Sequence, residues 1–182
     1  LSDVDKQVFE CFGGNEAVIH RFEQVLKVTC DYYIEGYTFQ DGIPLWDTGA
    51  PNAHQLPEYD TTISDPFNDI EPVDSSAAAI TAQGLIRYGC YLNNKGEDGN
   101  HYIYAALTVA NTLFSEPYLS TLPTHEGLIL HSNYHHPRRF DHVPDDRKMP
   151  CGEATMWGDY HALELALLIR KIAEGDYLNF WD

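Results

Sequence analysis

Four helical patterns, separated by two very long connections, constrain the fold of this chain most. The patterns repeat apolar residues at steps of three and four and carry helix stop signals: the first ends at Gly36, the second runs from Asp74 to Gly89, the third ends before Pro117 and the fourth ends at Gly175. The positions that define the first pattern are Val18, Phe22, Val25, Leu26, Cys30 and Tyr33. Alternating Val, Ile and Thr residues are scarce, so the sequence predicts an all-α protein.

The two connections, residues 37–73 and 115–155, are rich in Pro, Gly, Asp, His and aromatic residues. Loops of this length within a compact domain are uncommon and usually functional. Helix pairs with elaborate loops at one end are more typical of an α/α toroid than of a four-helix bundle with tight turns. Four or five helices do not close a ring of six hairpins, so we expect residues 1–182 to form part of one helical domain with no internal boundary.

The charge of the chain excludes some classes of partner. It has 182 residues with a formal net charge of −17, from 28 acidic and 11 basic residues. Such a surface disfavours nucleic acid and anionic membranes as partners. No apolar run approaches the roughly 20 residues of a membrane span. An acidic substrate would need cations concentrated locally, and Arg138 and Arg139 are the only adjacent arginine pair.

The cysteines and the first residue carry limited information. Four scattered cysteines without a Cys-x-x-Cys spacing exclude a zinc ribbon or a thioredoxin motif, and they favour buried thiols over disulfides. The chain begins at Leu1 and has no signal-like segment. We expect this start to be a cut within a longer protein.

The start of the second helical pattern has two interpretations. Asp74, Ser75 and Ser76 precede small apolar residues, which is the pattern of an N-cap on a closely packed helix. Alternatively, the free N–H groups of this helix end would hold an anionic or hydroxyl-rich ligand. No Gly-rich phosphate loop surrounds the segment, which disfavours a nucleotide.

A histidine-rich stretch, residues 131–146, holds four histidines and two arginines. A polar loop that lines a pocket is the favoured interpretation, and a metal site and a solvated surface loop are the alternatives. A metal is disfavoured because adjacent histidines rarely both ligate and no His pair falls at positions i and i+4 of a helix. The candidate ligands are His135, His136, Asp141 and His142.

The segment that enters the last helix, residues 151–161, combines an aromatic residue with acids. Asp159 would cap the helix, Trp157 would pack or stack on a ring, and Glu153 would reach the same region. Glycoside chemistry depends on the separation of two carboxyl groups, which a sequence does not give. The candidate carboxylates are Asp47, Asp74, Glu153 and Asp159. No nucleophile-elbow signature is present.

Four motifs occur in an order that resembles a known family: IPLWDTGAP (43–51), DSSAAAITAQGLI (74–86), GLILHSNYHHP (127–137) and MWGDYHALELALL (156–168). This order resembles the C-terminal part of the unsaturated glucuronyl hydrolases, glycoside hydrolase family 88. The unsaturated rhamnogalacturonyl hydrolases of family 105 match less well. The resemblance covers residues 40–172 and implies an (α/α)6 barrel, or six-hairpin toroid, of which this chain supplies the later helices.

The resemblance also implies an activity. Enzymes of this family remove a terminal 4,5-unsaturated uronic acid from an oligosaccharide: an aspartate protonates C4 of the vinyl ether, water adds at C5, and the resulting hemiketal opens. This is general acid/base catalysis that needs neither a metal nor another cofactor. The family implies a location in the bacterial cytoplasm or periplasm.

The catalytic aspartates of the family lie upstream of the segment that this chain resembles, so the resemblance assigns no catalytic residue here. It implies instead that the chain contributes the rim of the substrate pocket and the residues behind it. The loop of residues 138–155 is longer and more charged than the usual connection of the family, which favours a different sugar on the leaving side. The expected rim residues are Trp46, Asp47, His131, His135, Trp157 and Asp159.

Two other classes remain open on the sequence: another α/α-toroid carbohydrate enzyme, and a non-catalytic helical domain that binds carbohydrate or acts as a scaffold. In each case the second and fourth helices are apolar on most faces. We therefore expect them to pack against a missing N-terminal part of the barrel or against a second chain.

Overall fold

The computed structural model describes residues 10, 13–14, 16–56 and 58–177. The described residues contain no named strand, only isolated bridges, which confirms the predicted all-α class. Three short 3-10 turns lie in the connections, at Ala53–Gln55, Tyr59–Thr61 and His136–Arg138. The long helices are α1 (Glu16–Gly36), α2 (Ser75–Asn94), α3 (Asn100–Leu113) and α4 (Met156–Ala173).

The second helix, α2, forms the centre of the described structure and packs against both α3 and α4. Its contact faces are built from small residues, because Ala78, Ala79 and Ala82 are fully buried and let neighbouring elements approach. Leu165 and Leu168 of α4 are also fully buried in the same core. A helix that is apolar nearly all round is expected to be buried in this way.

The predicted end of α2 at Gly89 is wrong, because the helix continues to Asn94. Gly89 lies where α2 meets the start of α3. A Cβ atom added at Gly89 would lie 2.7 Å from the carbonyl oxygen of Gly99 and 2.5 Å from Cγ1 of Ile103. The glycine therefore serves a close contact between two helices and does not terminate the first.

Substitution of this glycine gives a test of the packing. Gly89→Ala is expected to lower the free energy of unfolding by about 2 kcal/mol, because the new methyl group would meet a backbone carbonyl. Gly84→Ala is the matched control on the same helix, where an added Cβ meets no atom within 4 Å. The control should raise stability by up to about 1 kcal/mol through helix propensity. Urea denaturation measures both; equal effects of the two changes would contradict the close contact.

The first helix, α1, buries only its C-terminal half. Cys30 and Tyr33 are buried, but Val18, Phe22 and Val25 are 39%, 54% and 48% exposed. The expectation that these three residues face a core together with Cys30 and Tyr33 is therefore wrong for the described structure, where α1 packs only loosely against the other helices.

The described helices include none that is both long enough and apolar enough to span a membrane. Cys30, Cys90 and Cys151 are free thiols, and Cys30 and Cys151 are buried. Cys11 lies outside the described residues.

Candidate functional site

The first turn of α2 joins two loops that are distant in sequence. The Asp74 N–H donates to the carbonyl of Pro44 at 3.0 Å, and the Ser75 N–H donates to the carbonyl of His131 at 3.1 Å. The hydroxyls of Ser75 and Ser132 lie 3.1 Å apart. The loops of residues 43–52 and 131–136 are thus held at the end of the molecule where α2 begins.

Asp74 caps α2, as the sequence predicts. Its Oδ1 accepts from the N–H and hydroxyl of Ser76, at 2.9 and 2.6 Å, and from the N–H of Asn133 at 3.2 Å. Burial raises the pKa of this carboxyl, and the hydrogen bonds oppose the increase. The geometry fits a structural cap. The Nδ2 of Asn133 is buried with no hydrogen-bond partner within the described part of the chain.

Trp46 is held by a buried acid. The indole Nε1–H donates to Oε2 of Glu71 at 2.7 Å, and the ring lies edge-on to His136 with centroids 5.2 Å apart. Oε1 of Glu71 accepts from the backbone N–H and the side-chain amide of Asn52, at 2.7 and 2.9 Å. Glu71 is fully buried. Sequence reasoning missed this residue, although an acid between Ile70 and Pro72 was a signal.

Asp47 has a different role from its neighbour Trp46. It is exposed, its Oδ1 accepts from the N–H of Gly49 at 2.6 Å, and its carbonyl accepts from the N–H of Ala50 at 3.2 Å. The carboxylate therefore closes a turn in the loop, and the described contacts do not join it to the other predicted site residues.

His131 is buried, with 3% of its surface exposed, and adopts a left-handed backbone conformation at φ 66°. Its Nδ1 accepts from the N–H of Gly152 at 3.0 Å, so the proton is on Nε2, which donates to the carbonyl of Pro117 at 3.2 Å. Burial lowers the pKa of the imidazole to about 4. The rings of Phe67 and Tyr118 pack against it at 5.0 and 5.5 Å.

His135 lies in a loop that is closed by one carboxylate. Asp141 accepts from the N–H groups of Tyr134 and His135, the latter at 2.8 Å. The His135 ring lies edge-on to Phe140 with centroids 6.1 Å apart.

The start of α4 corrects one expectation about its cap. Thr155 caps the helix by accepting from the Gly158 N–H at 3.2 Å, whereas Asp159 faces the preceding loop. Its Oδ1 accepts from the N–H groups of Leu128 and Ile129, both at 3.0 Å. A carboxylate in the first turn of a helix satisfies nearby loop N–H groups as readily as helical ones, which the sequence alone does not distinguish.

Trp157 connects the beginnings of the two central helices. Its Nε1–H donates to the hydroxyl of Ser76 on α2 at 3.2 Å, and its ring lies 5.4 Å from that of Tyr134. Glu153 is exposed, and its carbonyl accepts from the N–H of Ser132 at 3.0 Å.

These contacts bring Trp46, His131, His135 and Trp157 to one end of the fold, around the first turns of α2 and α4. The end offers half-buried aromatic rings and polar loops, which is a composition suited to binding a ligand with hydroxyl groups. The carboxylates of Asp74 and Asp159 are engaged by N–H groups and hold loops in place. Within the part of the chain that the structure describes, no cluster of three or more His, Cys, Asp or Glu residues could hold a metal ion.

Similar sequences occur among curated proteins. An unsaturated glucuronyl hydrolase of Formosa agariphila is 33% identical over 140 residues, which are 76% of this chain and 28% of that protein. An unsaturated glucuronyl hydrolase of Bacillus sp. GL1 is 30% identical over 139 residues, which are 75% of this chain and 30% of that protein. The chain thus spans less than a third of the length of these relatives. No protein-family model matches the chain.

Solved structures agree with this similarity. An unsaturated glucuronyl hydrolase specific for heparin aligns with a TM-score of 0.63 at 19% identity, covering 92% of this chain and 37% of the solved one. The Bacillus sp. GL1 enzyme, described as responsible for the degradation of glycosaminoglycan, aligns with a TM-score of 0.57 at 25% identity, covering 90% and 36%. The first of these supports the fold alone.

The helical fold, with aromatic and polar loops collected where α2 and α4 begin, is that of part of an α/α-barrel carbohydrate enzyme. The partial coverage agrees with the expectation that the later helices of such a barrel are present. The chain belongs to the unsaturated glucuronyl hydrolases of glycoside hydrolase family 88, and it corresponds to about a third of their length.

Proposed function

We propose that the protein to which these residues belong removes a terminal 4,5-unsaturated uronic acid from an oligosaccharide by hydration of the vinyl ether. The observation that carries the proposal is the sequence similarity to two unsaturated glucuronyl hydrolases over three quarters of the chain. A structure of such an enzyme is described with dGlcA-Glc-Rha-Glc, an oligosaccharide. Protonation at C4 and addition of water at C5 would use groups of the barrel outside these residues.

The proposed role of this chain is to form the rim of the substrate pocket. Trp46, His135 and Trp157 are half-buried rings at the end of the fold, and rings in this position suit contacts with a sugar. His131 and Asp159 hold the loops behind them through backbone hydrogen bonds. Asp47 would act from the outer side of the same loop, by fixing its turn.

We also propose that the rest of the barrel covers two apolar faces. One is the face of α1 that carries Val18, Phe22 and Val25, which continues into a 420 Å³ groove between α1 and α2 that is lined largely by apolar atoms. The other lies on α4, where Met156 and Leu163 are 84% and 62% exposed. Faces of this kind normally mark an interface. A second chain is the alternative occupant.

The experiment compares the 182-residue chain with the full polypeptide that contains it. The substrate is a disaccharide with a terminal unsaturated glucuronic acid, and the signal is the loss of ultraviolet absorbance as the double bond is consumed. The full polypeptide should consume the double bond, and the chain alone should not, because the resemblance places the catalytic aspartates upstream.

The native mass of the chain, measured in parallel, shows whether the exposed faces associate. A full polypeptide that cleaves only saturated glycosides would favour another α/α-toroid glycosidase. One that binds the disaccharide without turnover would favour a carbohydrate-binding domain. Either result overturns the proposed activity.

A further inference from the structure

An exposed pair of aromatic rings lies on the loop that follows His131. Tyr134 and Phe140 are each 60% exposed, and their rings stack nearly parallel, with centroids 5.9 Å apart and 22° between the planes. Trp157 packs against Tyr134. Large exposed aromatic surface is costly to keep in water, and its flat face suits the C–H face of a sugar ring.

The pair is held in place by the loop itself. Asp141 accepts from the N–H groups of Tyr134 and His135, which draws the two ends of the loop together. Arg139 adopts a left-handed conformation at φ 55°, which turns the chain between them. Trp157 is fixed through Ser76. A surface ordered before binding loses less conformational entropy when a ligand arrives.

Cations are concentrated beside these rings although the chain is strongly acidic. Four of the eleven Lys and Arg residues fall within residues 138–148. Arg138 and Arg139 are exposed, and among the described residues no carboxylate lies within ion-pairing distance of either guanidinium. The neighbouring carboxylate of Asp141 is already engaged by two backbone N–H groups.

We propose that Tyr134, Phe140, Arg138 and Arg139 form a subsite for a sugar ring that carries an anionic substituent. The rings contact the C–H face of the sugar, and the guanidinium groups bind its sulfate or carboxylate, for which their paired N–H donors are suited. The placement of this subsite on the leaving side of the substrate rests on the proposed function. The binding of the sugar does not.

The experiment is a titration of the 182-residue chain with saturated tetrasaccharides, which are not substrates of the proposed reaction. The probes are a heparin tetrasaccharide, its fully desulfated form and neutral N-acetylchitotetraose, and the readout is Trp fluorescence or NMR shifts. We expect the heparin probe to bind better than the neutral one by at least tenfold, with an affinity that falls as salt rises. Affinity retained on desulfation assigns recognition to carboxylate, and affinity lost assigns it to sulfate.

Variants separate the subsite from general attraction. The double change Arg138→Ala with Arg139→Ala should raise the Kd for the heparin probe at least tenfold, and Phe140→Leu, which keeps an apolar side chain without a flat ring, severalfold. The controls are Arg170→Ala and Tyr104→Ala, at exposed positions elsewhere. They should stay within twofold of the original chain.

Controls that weaken binding as much as the subsite variants would overturn the proposal. Equal binding of the neutral and heparin probes would do the same. Because no probe is hydrolysed, failure of the hydrolase assay leaves this result unaffected, and failure of binding leaves the proposed hydrolase activity standing.

Discussion

Replacing Glu71 by alanine is expected to lower the free energy of unfolding by about 3 kcal/mol, which is a large part of the stability of a typical domain. The carboxylate is fully buried and accepts three hydrogen bonds, from the Trp46 indole and from the backbone and side chain of Asn52. Alanine would leave these donors without an acceptor in a buried position, and unsatisfied buried donors are costly. Chemical denaturation at neutral pH measures the loss.

Two further variants make the Glu71 result specific. Glu71→Gln keeps one acceptor oxygen and turns an amide N–H₂ toward a donor, so it should lose less stability than alanine but more than a surface change. Glu126→Ala, at an exposed loop position, should change stability by less than about 0.5 kcal/mol. If Glu71→Ala behaved like Glu126→Ala, the three hydrogen bonds would contribute nothing and the account of the Trp46 loop would be wrong.

The second large effect is a loss of stability in acid that depends on His131. Burial lowers the pKa of this imidazole from 6.5 to about 4 in the folded state. The unfolded chain therefore binds more protons between these two values, so the contribution is complete above about pH 6.5 and is lost as the pH falls toward 4. It amounts to about 3 kcal/mol.

The neutral ring is required by its partners. Nδ1 accepts from the Gly152 N–H, and a proton on Nδ1 would place two donors against each other. Asp65 is the acid whose charge acts on the ring, and it opposes the decrease in pKa.

A variant isolates this term from the other groups that titrate in acid. Asp74, whose pKa burial raises, contributes in the opposite direction, and the net negative charge also declines. His131→Asn removes the titrating ring and tolerates a positive φ. It should lower stability at pH 7 but flatten the change in stability between pH 7 and 4 by about 3 kcal/mol.

Unfolding curves at several pH values measure the difference between the original chain and the His131→Asn variant. His101→Asn, on the exposed face of α3, is the matched control. An unchanged pH dependence in His131→Asn would show that the ring does not resist protonation.

Local signals in the sequence predicted the helices and the cap of α2. The apolar spacing and Asp74 act within a few residues of each other, so their effects are independent of the tertiary fold. The end of α2 and the cap of α4 were predicted wrongly because distant elements decide them. Gly89 is small because α3 approaches it, and Asp159 is turned away from its helix by the backbone of residues 128–129.

The candidate site was predictable only as a set of motifs. Trp46 and Glu71 are 25 residues apart in the chain, and Ser76 and Trp157 are 81 apart, so their pairing follows from the fold. The exposed stack of Tyr134 and Phe140 was not predicted, because the closing contact with Asp141 does not follow from residue type. The roles of the predicted rim residues remain predictions that the enzyme assay and the variants described above address.

The loose attachment of α1 has a consequence for motion. Its N-terminal half contacts the rest of the fold through polar groups, with Glu23 accepting from the Tyr91 hydroxyl and from Lys95 at 2.5 and 2.9 Å, while its apolar side chains there remain in water. Opening such a segment exposes little new apolar surface, so its free energy of local unfolding is well below that of the whole fold. The first two turns of α1 would therefore open and close many times while α2, α3 and α4 stay folded.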